Sequence, residues 1–281
     1  MILASRLRKQ RALTITYAAD SWQSYIPALS ILGFTDAGSD RCNQDSMAWD
    51  QHAGVIALAD GMGGQQAGEV ASAMAVGLLV NGFKCWLEEM GSQLVQKNTE
   101  QQAHYIQAWI KMQVQSIHDS ICDAASLLPE CKGMGSTLCA VLFWGQLAWV
   151  IHIGDSRVYL YDKSEGSLKR VTHDHSTVQQ HVDAGVTSES IARRSAHKHE
   201  LTRALGVGET IAADVSVESF SDQSIFLLCS DGLTDVVSES LMTNVLKEHS
   251  LALVGRLLLG QAKTLGGQDN VSILLASKKS A

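Results

Sequence analysis

The chain has 281 residues, a net charge of -7 and 46% hydrophobic residues, an ordinary globular composition. Its mild acidity argues against a protein that grips nucleic acid through a broad basic surface. Only Pro27 and Pro129 break it and no Ser/Gly-rich run divides it, so a single domain is expected over residues 29–281, preceded by a mobile or appended N-terminal extension, residues 1–28.

In chain order, "LSILGFTD" (29–36) and "GVIALAD" (54–60) read as short apolar strands, each ending in a carboxylate. From Gln65 to about Leu94 the chain is rich in Ala, Leu and Met and reads as a long helix. A second helix is expected from Thr99 to Leu128, where Ile106, Ile110, Val114, Ile117, Ile121 and Leu128 keep helical spacing and Pro129 stops it. Strands return with "STLCAVLFW", "QLAWVIHIGD" and "RVYLYD", the first two joined by a hairpin at Gly145-Gln146. "HSTVQQHVDAG" is a short amphipathic helix, and "VTSESIARRSAHKHE" a polar loop with one helical turn. "DVSVESF" and "SIFLLCSD" are strands, helices follow over 238–248 and 251–264, and "VSILLAS" is the last strand. Strand runs broken by helix pairs predict an α+β sandwich of two packed sheets with helices outside.

The six cysteines show no CxxC spacing, and several lie in apolar runs, so they read as buried free thiols in a reducing cytoplasm. The basic start lacks the apolar stretch of a secretory signal. No apolar run is read as approaching the roughly 20 residues of a membrane span.

Asp60, Asp155, Asp231 and Asp269 each sit at a strand–loop junction, in "ADGMGG", "IGDSR", "CSDGL" and "GQDNVS"; Asp45, in "RCNQDSM", is a fifth. Loop aspartates commonly make Asx-turns and helix caps. Several delivered together by apolar strands instead repel one another unless cations neutralise them. Hard oxygen donors without thiolates suit Mg²⁺ or Mn²⁺. The glycines of "LADGMGG" allow a tight turn or a place in such a metal site; a phosphate-cradling loop is disfavoured because no Gly-Lys-Ser/Thr follows.

The segments "DRCNQDS", "ADGMGG", "MGSTL", "IGDSRVYL", "THDHS", "LTRALG", "LLCSDGLTD" and "GGQDNVSILL" occur in one order that resembles the PP2C-type (PPM) metal-dependent Ser/Thr protein phosphatases, bacterial type, over about Leu29 to Ala276. The resemblance implies a four-layer α-β-β-α sandwich with two central antiparallel sheets. It implies two Mn²⁺ or Mg²⁺ ions and hydrolysis of phosphoserine and phosphothreonine by direct attack of a metal-bridging hydroxide. Asp60 matches the carboxylate shared by both ions, Gly61 a carbonyl ligand of one, and Asp231 and Asp269 ligands of the other. Asp155 matches a ligand of a third, weaker ion, and Asp45 an acid that orients metal-bound water. Asn270 is expected to fix the Asp269 loop, and Arg41 to clamp phosphate with its fork of donors, although its offset from Asp45 is one residue shorter than in some relatives.

Two departures stand out. Gln44 replaces a glutamate of some relatives, and the lost charge implies that the second metal binds more weakly or only through water; Met62 replaces a histidine suggested as the proton donor to the leaving oxygen. The basic stretch Arg193, Arg194, His197, Lys198 and His199 falls where the family carries a flap beside its active site, and reads either as a solvated loop or as a hold on the phosphoprotein. His173 and His175 read as a structural turn rather than a metal pair, and Arg203 as structural. The resemblance further implies a cytoplasmic monomer, without nucleic-acid or membrane partners, acting on phosphorylated proteins and opposing a bacterial Ser/Thr kinase. A non-catalytic binding module on the same fold, and a phosphatase for another phosphomonoester, are the alternatives.

Overall fold

The computed structural model describes residues 21–39, 42–64, 67–192 and 195–279. The strands are β1 (Leu29–Asp36), β2 (Asp45–Asp50), β3 (Val55–Met62), β4 (Gly135–Ser136), β5 (Leu138–Trp144), β6 (Leu147–Ile153), β7 (Arg157–Asp162), β8 (Ser167–Arg170), β9 (Asp214–Ser219), β10 (Ser224–Cys229) and β11 (Val271–Lys278). The helices are α1 (Ala67–Val95), α2 (Thr99–Leu127), α3 (Thr177–Asp183), α4 (Glu189–Ala192), α5 (Asp231–Thr234), α6 (Glu239–Glu248) and α7 (Leu251–Thr264). All pairings are antiparallel, in one sheet ordered β1-β11-β10-β7-β8 and another ordered β2-β3-β5-β6-β9, with β4 against the end of β3.

Strand alternation sorts the side chains into three apolar layers. On β3, Val55, Ala57 and Ala59 face α1 and α2, while Ile56 and Leu58 enter the layer between the sheets. On β10, Ile225, Leu227 and Cys229 face α6 and α7, while Phe226 and Leu228 point inward to the same layer. The sandwich expected from the sequence is therefore the fold, α1/α2 on one outer face and α6/α7 on the other.

Local chemistry sets the helix ends. Asn98 and Gln101 close a reciprocal capping box at the start of α2, and Pro129 opens a tight turn after it. Ser238 caps α6 through the Leu241 amide. Cys139 and Cys229 are buried thiols, as their apolar contexts predict, whereas Cys42 and Cys85 are exposed.

Four details depart from the sequence reading. Residues 21–28, assigned to the N-terminal extension, are docked: Tyr25 stacks on Trp144 with ring centroids 5.0 Å apart, and Trp22 and Ile26 pack on the helix-side core. Two strands were not foreseen, β2 and β8, because both are short and polar at their ends. Finally, α1 is long and apolar enough to cross a membrane by length and composition, with a mean hydropathy of 1.5 over 18 residues. In this fold its Ala71, Ala75, Leu79 and Phe83 face is buried in the core.

Close packing of α7 gives a paired test. A Cβ on Gly255 would lie 2.2 Å from the Phe34 ring, whereas one on Gly260 of the same helix would meet nothing within 4 Å. Urea unfolding is expected to show Gly255→Ala losing about 1–3 kcal/mol through overpacking. Gly260→Ala should gain about 0.5–1 kcal/mol through helix propensity.

Candidate active site

The alternation that builds the inner layer also builds the site. The inward register that carries Ile56 and Leu58 continues to Asp60, the one carrying Met47 includes Asp45, and the one carrying Phe226 and Leu228 continues to Ser230. Asp45 and Asp60 are direct partners across β2 and β3. At one end of the inter-sheet layer the apolar side chains thus give way to carboxylates and hydroxyls.

The Asp60 backbone is clamped on both sides. Its N–H donates to Thr137 Oγ1 (2.8 Å), and its carbonyl accepts from Thr137 N (2.9 Å) and Ser136 Oγ (3.0 Å). Gly61 N donates to the Gln44 carbonyl at 3.0 Å. A Cβ on Gly61 would come 1.9 Å from the Gly68 carbonyl oxygen, so only glycine lets the first turn of α1 approach this strand end. Asp231 opens α5, and the next residue is equally constrained: a Cβ on Gly232 would lie 2.1 Å from the Asn270 carbonyl.

Asn270 ties the loop of Asp269 to the segment before β2. It accepts from Gln44 N through Oδ1 (2.7 Å) and donates through Nδ2 to the carbonyls of Ala37 (3.0 Å) and Cys42 (3.3 Å). Its own N–H donates to Asp269 Oδ1 at 2.8 Å. Asp155 follows β6 in a loop held by His175, whose N–H donates to the Gly154 carbonyl (2.7 Å) and whose Nδ1 accepts from Gly154 N (3.2 Å). His175 is therefore structural, and its Nε2 lies 3.1 Å from Asp214 Oδ2. His173 pairs with Asp183 and Arg203 with Asp214, also away from the carboxylate cluster.

The electrostatics are those of a site missing positive charge. Burial, then repulsion from Asp231, Asp45, Asp155 and Asp269, pushes the Asp60 carboxyl well above the ordinary range. Asp155 is pushed well up by burial and by Asp231 and Asp174. Asp45 is pushed up to about 7, chiefly by burial, although Ser272 and Ser230 hydrogen bonds favour its ionised form. Ser230 Oγ donates to Asp45 Oδ2 at 2.8 Å. Asp45 Oδ1 and Asp231 Oδ1 are buried without a hydrogen-bond partner. The nearby Arg157 is committed elsewhere, its fork closing on buried Asp174 at 2.6–3.1 Å. Raised carboxyls, two orphaned buried oxygens and an all-oxygen carboxylate set fit divalent cations.

Sequence reasoning did not foresee two groups. The hydroxyls of Thr137, Ser230 and Ser272 hold the acidic residues, and their signal is their place inside the motifs, one residue before Asp231 in the case of Ser230. The other is His199, whose Nδ1 sits 3.0 Å from Asp231 Oδ2. Asp231 holds His199 above the usual histidine range. Lys198 pairs with Asp235 at 2.5 Å, so this part of the basic stretch meets carboxylates beside the site. Arg193, Arg194 and the expected phosphate clamp Arg41 lie outside the described residues. Gln44 keeps its amide on the Gly64 carbonyl at 3.3 Å, and the Met62 methyl packs over Gly135.

Comparison with known proteins identifies the family. The family profile described as protein phosphatase 2C matches residues 33–256. The serine/threonine phosphatase stp of Listeria welshimeri is 35% identical over 225 residues, covering 80% of this chain and 84% of that protein. The crystal structure of the serine/threonine phosphatase PstP/Ppp of Mycobacterium tuberculosis superposes with a TM-score of 0.77 at 32% identity, over 90% of this chain and 99% of that one. A structure of the PstP catalytic domain in complex with two manganese ions matches with a TM-score of 0.72 at 31% identity, over 89% of this chain and 97% of that one. The chain belongs to the protein phosphatase 2C family of metal-dependent serine/threonine protein phosphatases.

Proposed function

We propose that this site hydrolyses phosphoserine and phosphothreonine in proteins with two divalent cations, Mn²⁺ or Mg²⁺, and a third more weakly held. The observation that carries the reading is the convergence of Asp45, Asp60, Asp155, Asp231 and Asp269, with the carboxyls of Asp45, Asp60 and Asp155 raised and two buried oxygens unpartnered. Asp60 would be shared by both main cations, with the Gly61 carbonyl on one and Asp231 and Asp269 on the other. Asp155 would serve the third. When bound, the cations supply Lewis acidity for an attacking water and neutralise charge at the phosphoryl group.

The chain's own residues do the positioning. Ser230 holds one oxygen of Asp45 and leaves Oδ1 to accept a hydrogen bond from water. Thr137 and Ser136 fix the backbone of Asp60. Arg41 would hold phosphate oxygens with its planar fork. Met62 has no proton to give, so the leaving oxygen takes its proton from another group. The substrates would be proteins phosphorylated by a bacterial Ser/Thr kinase, met by a monomer in the cytoplasm, consistent with α1 being packed in the core.

Three outcomes test this. Chelation should abolish phosphate release from a phosphothreonine peptide and Mn²⁺ should restore it; calorimetry showing no Mn²⁺ binding would return the non-catalytic reading. Asp60→Asn and Asp231→Asn should each cost more than about a hundredfold in activity, and Ser230→Ala roughly ten- to a hundredfold, with folding intact by circular dichroism. Full activity in Asp60→Asn would sink the mechanism. Gln44→Glu replaces the side-chain amide that donates to the Gly64 carbonyl with a carboxylate and should tighten Mn²⁺ binding by about tenfold in calorimetry.

A further inference from the structure

We propose that His199 is a nitrogen ligand of the cation held by Asp231 and Asp269, and that it biases this position toward Mn²⁺ over Mg²⁺. The inference rests on the metal-dependent reading above and adds a residue to it.

Four observations support the assignment. Ligand atoms of His199, Asp231 and Asp269 all lie within 4.8 Å of one another, a grouping that brings the polar segment before β9 onto residues at the ends of β10 and β11. Asp231 Oδ2 faces His199 Nδ1 at 3.0 Å, while its Oδ1 is buried with no hydrogen-bond partner. His199 Nε2 lies 3.9 Å from Asp235 Oδ2, and Lys198 fixes that carboxylate at 2.5 Å. A carboxylate behind an imidazole is the usual support of a metal-binding histidine, because it orients the ring and keeps the proton on the far nitrogen. Ligation through Nδ1 leaves the proton on Nε2, the nitrogen that faces Asp235. Finally, His199, Asp235 and Asp269 line one cleft of about 440 Å³, which gives cation and water a path to these donors.

The competing reading is a plain ion pair between His199 and Asp231. His199 is half exposed, with 51% of its side chain accessible. Such exposed pairs contribute about 0–1 kcal/mol. A link that weak gives way to a divalent cation between two carboxylates. The chemistry of the donor then matters. Mg²⁺ demands oxygen ligands and sheds water reluctantly, whereas first-row transition ions accept imidazole. One nitrogen among carboxylates therefore shifts preference without closing the site to Mg²⁺.

The test is electron spin-echo envelope modulation on the full chain loaded with one equivalent of Mn²⁺. The wild type should show ¹⁴N coupling from a directly bound imidazole, and His199→Ala should lose it. In calorimetry His199→Ala should weaken Mn²⁺ by about tenfold. Mg²⁺ affinity should change by less than about threefold. A wild-type spectrum without nitrogen coupling overturns the proposal whatever the variant does, and equal losses for both ions overturn the selectivity. Mn²⁺ bound without nitrogen coupling leaves the phosphatase reading standing, whereas no Mn²⁺ binding removes both.

Discussion

The constraint on which the rest depends is the gathering of five aspartates at one end of a dry layer. Carboxylates brought together repel one another and lose hydration where they are buried, and both effects raise the carboxyls of Asp45, Asp60 and Asp155. Moving Asp45 from 3.8 to about 7 corresponds to roughly 4 kcal/mol against its ionised form. That is comparable to the contribution of two fully buried aliphatic side chains. The sandwich can bear it because Leu29, Ile56, Leu58, Phe143, Phe226 and Leu274 fill the inter-sheet layer behind the site. Packing elsewhere thus holds the carboxylates together, and cations bound there would relieve their repulsion.

Among the described residues, the nearby cations Arg157 and Lys198 do not provide that relief. Arg157 is near enough to lower Asp155, yet its guanidinium is closed on Asp174 by three hydrogen bonds in a buried pair. Lys198 is engaged by Asp235. An arginine placed directly among the aspartates would neutralise them permanently and leave no donors for a metal. Committing Arg157 to Asp174 holds the segment before α3 firmly while leaving the carboxylates in need of a cation from solution. Hydroxyl groups do the rest: Ser230, Ser136 and Thr137 fix positions without supplying charge.

Much of this was legible in the sequence, for physical reasons. Apolar strands leading to Asp60 and Asp231 leave a clear mark: on β3 alternation carries the inward register of Leu58 on to Asp60, and on β10 it carries that of Leu228 on to Ser230, with Asp231 next at the start of α5. Gly61 and Gly232 follow because backbone comes within about 2 Å of where a Cβ would stand. α2 kept a visible helical period since one face is exposed. β2 leaves little mark because "DSMAWD" is half-buried along nearly its whole length, with Asp45 opening its inward face and Ser46, on the helix-facing side, hydrogen-bonded to Ser72 of α1. Trp22 and Tyr25 were assigned to an appendage because nothing local says that an aromatic will stack on Trp144, more than a hundred residues away. The approach of His199 to Asp231 has the same character, a tertiary contact across 32 positions.

The contrast between the two halves of the site follows from those origins. Asp45, Asp60, Asp231 and Asp269 sit on or next to strands whose registers are locked across both sheets, so their separation is a property of the sandwich. His199 and Lys198 instead reach the site from a polar segment whose turns are short and mostly exposed, and their links are two carboxylates, Asp231 and Asp235. Ligands on strands set where charge is concentrated; ligands on an exposed segment can arrive and leave. A catalytic centre built this way keeps a rigid carboxylate floor and an adjustable wall. On the proposed reading the floor would hold the cations, and differences in metal preference and substrate hold would arise from a few residues of the wall without disturbing the fold.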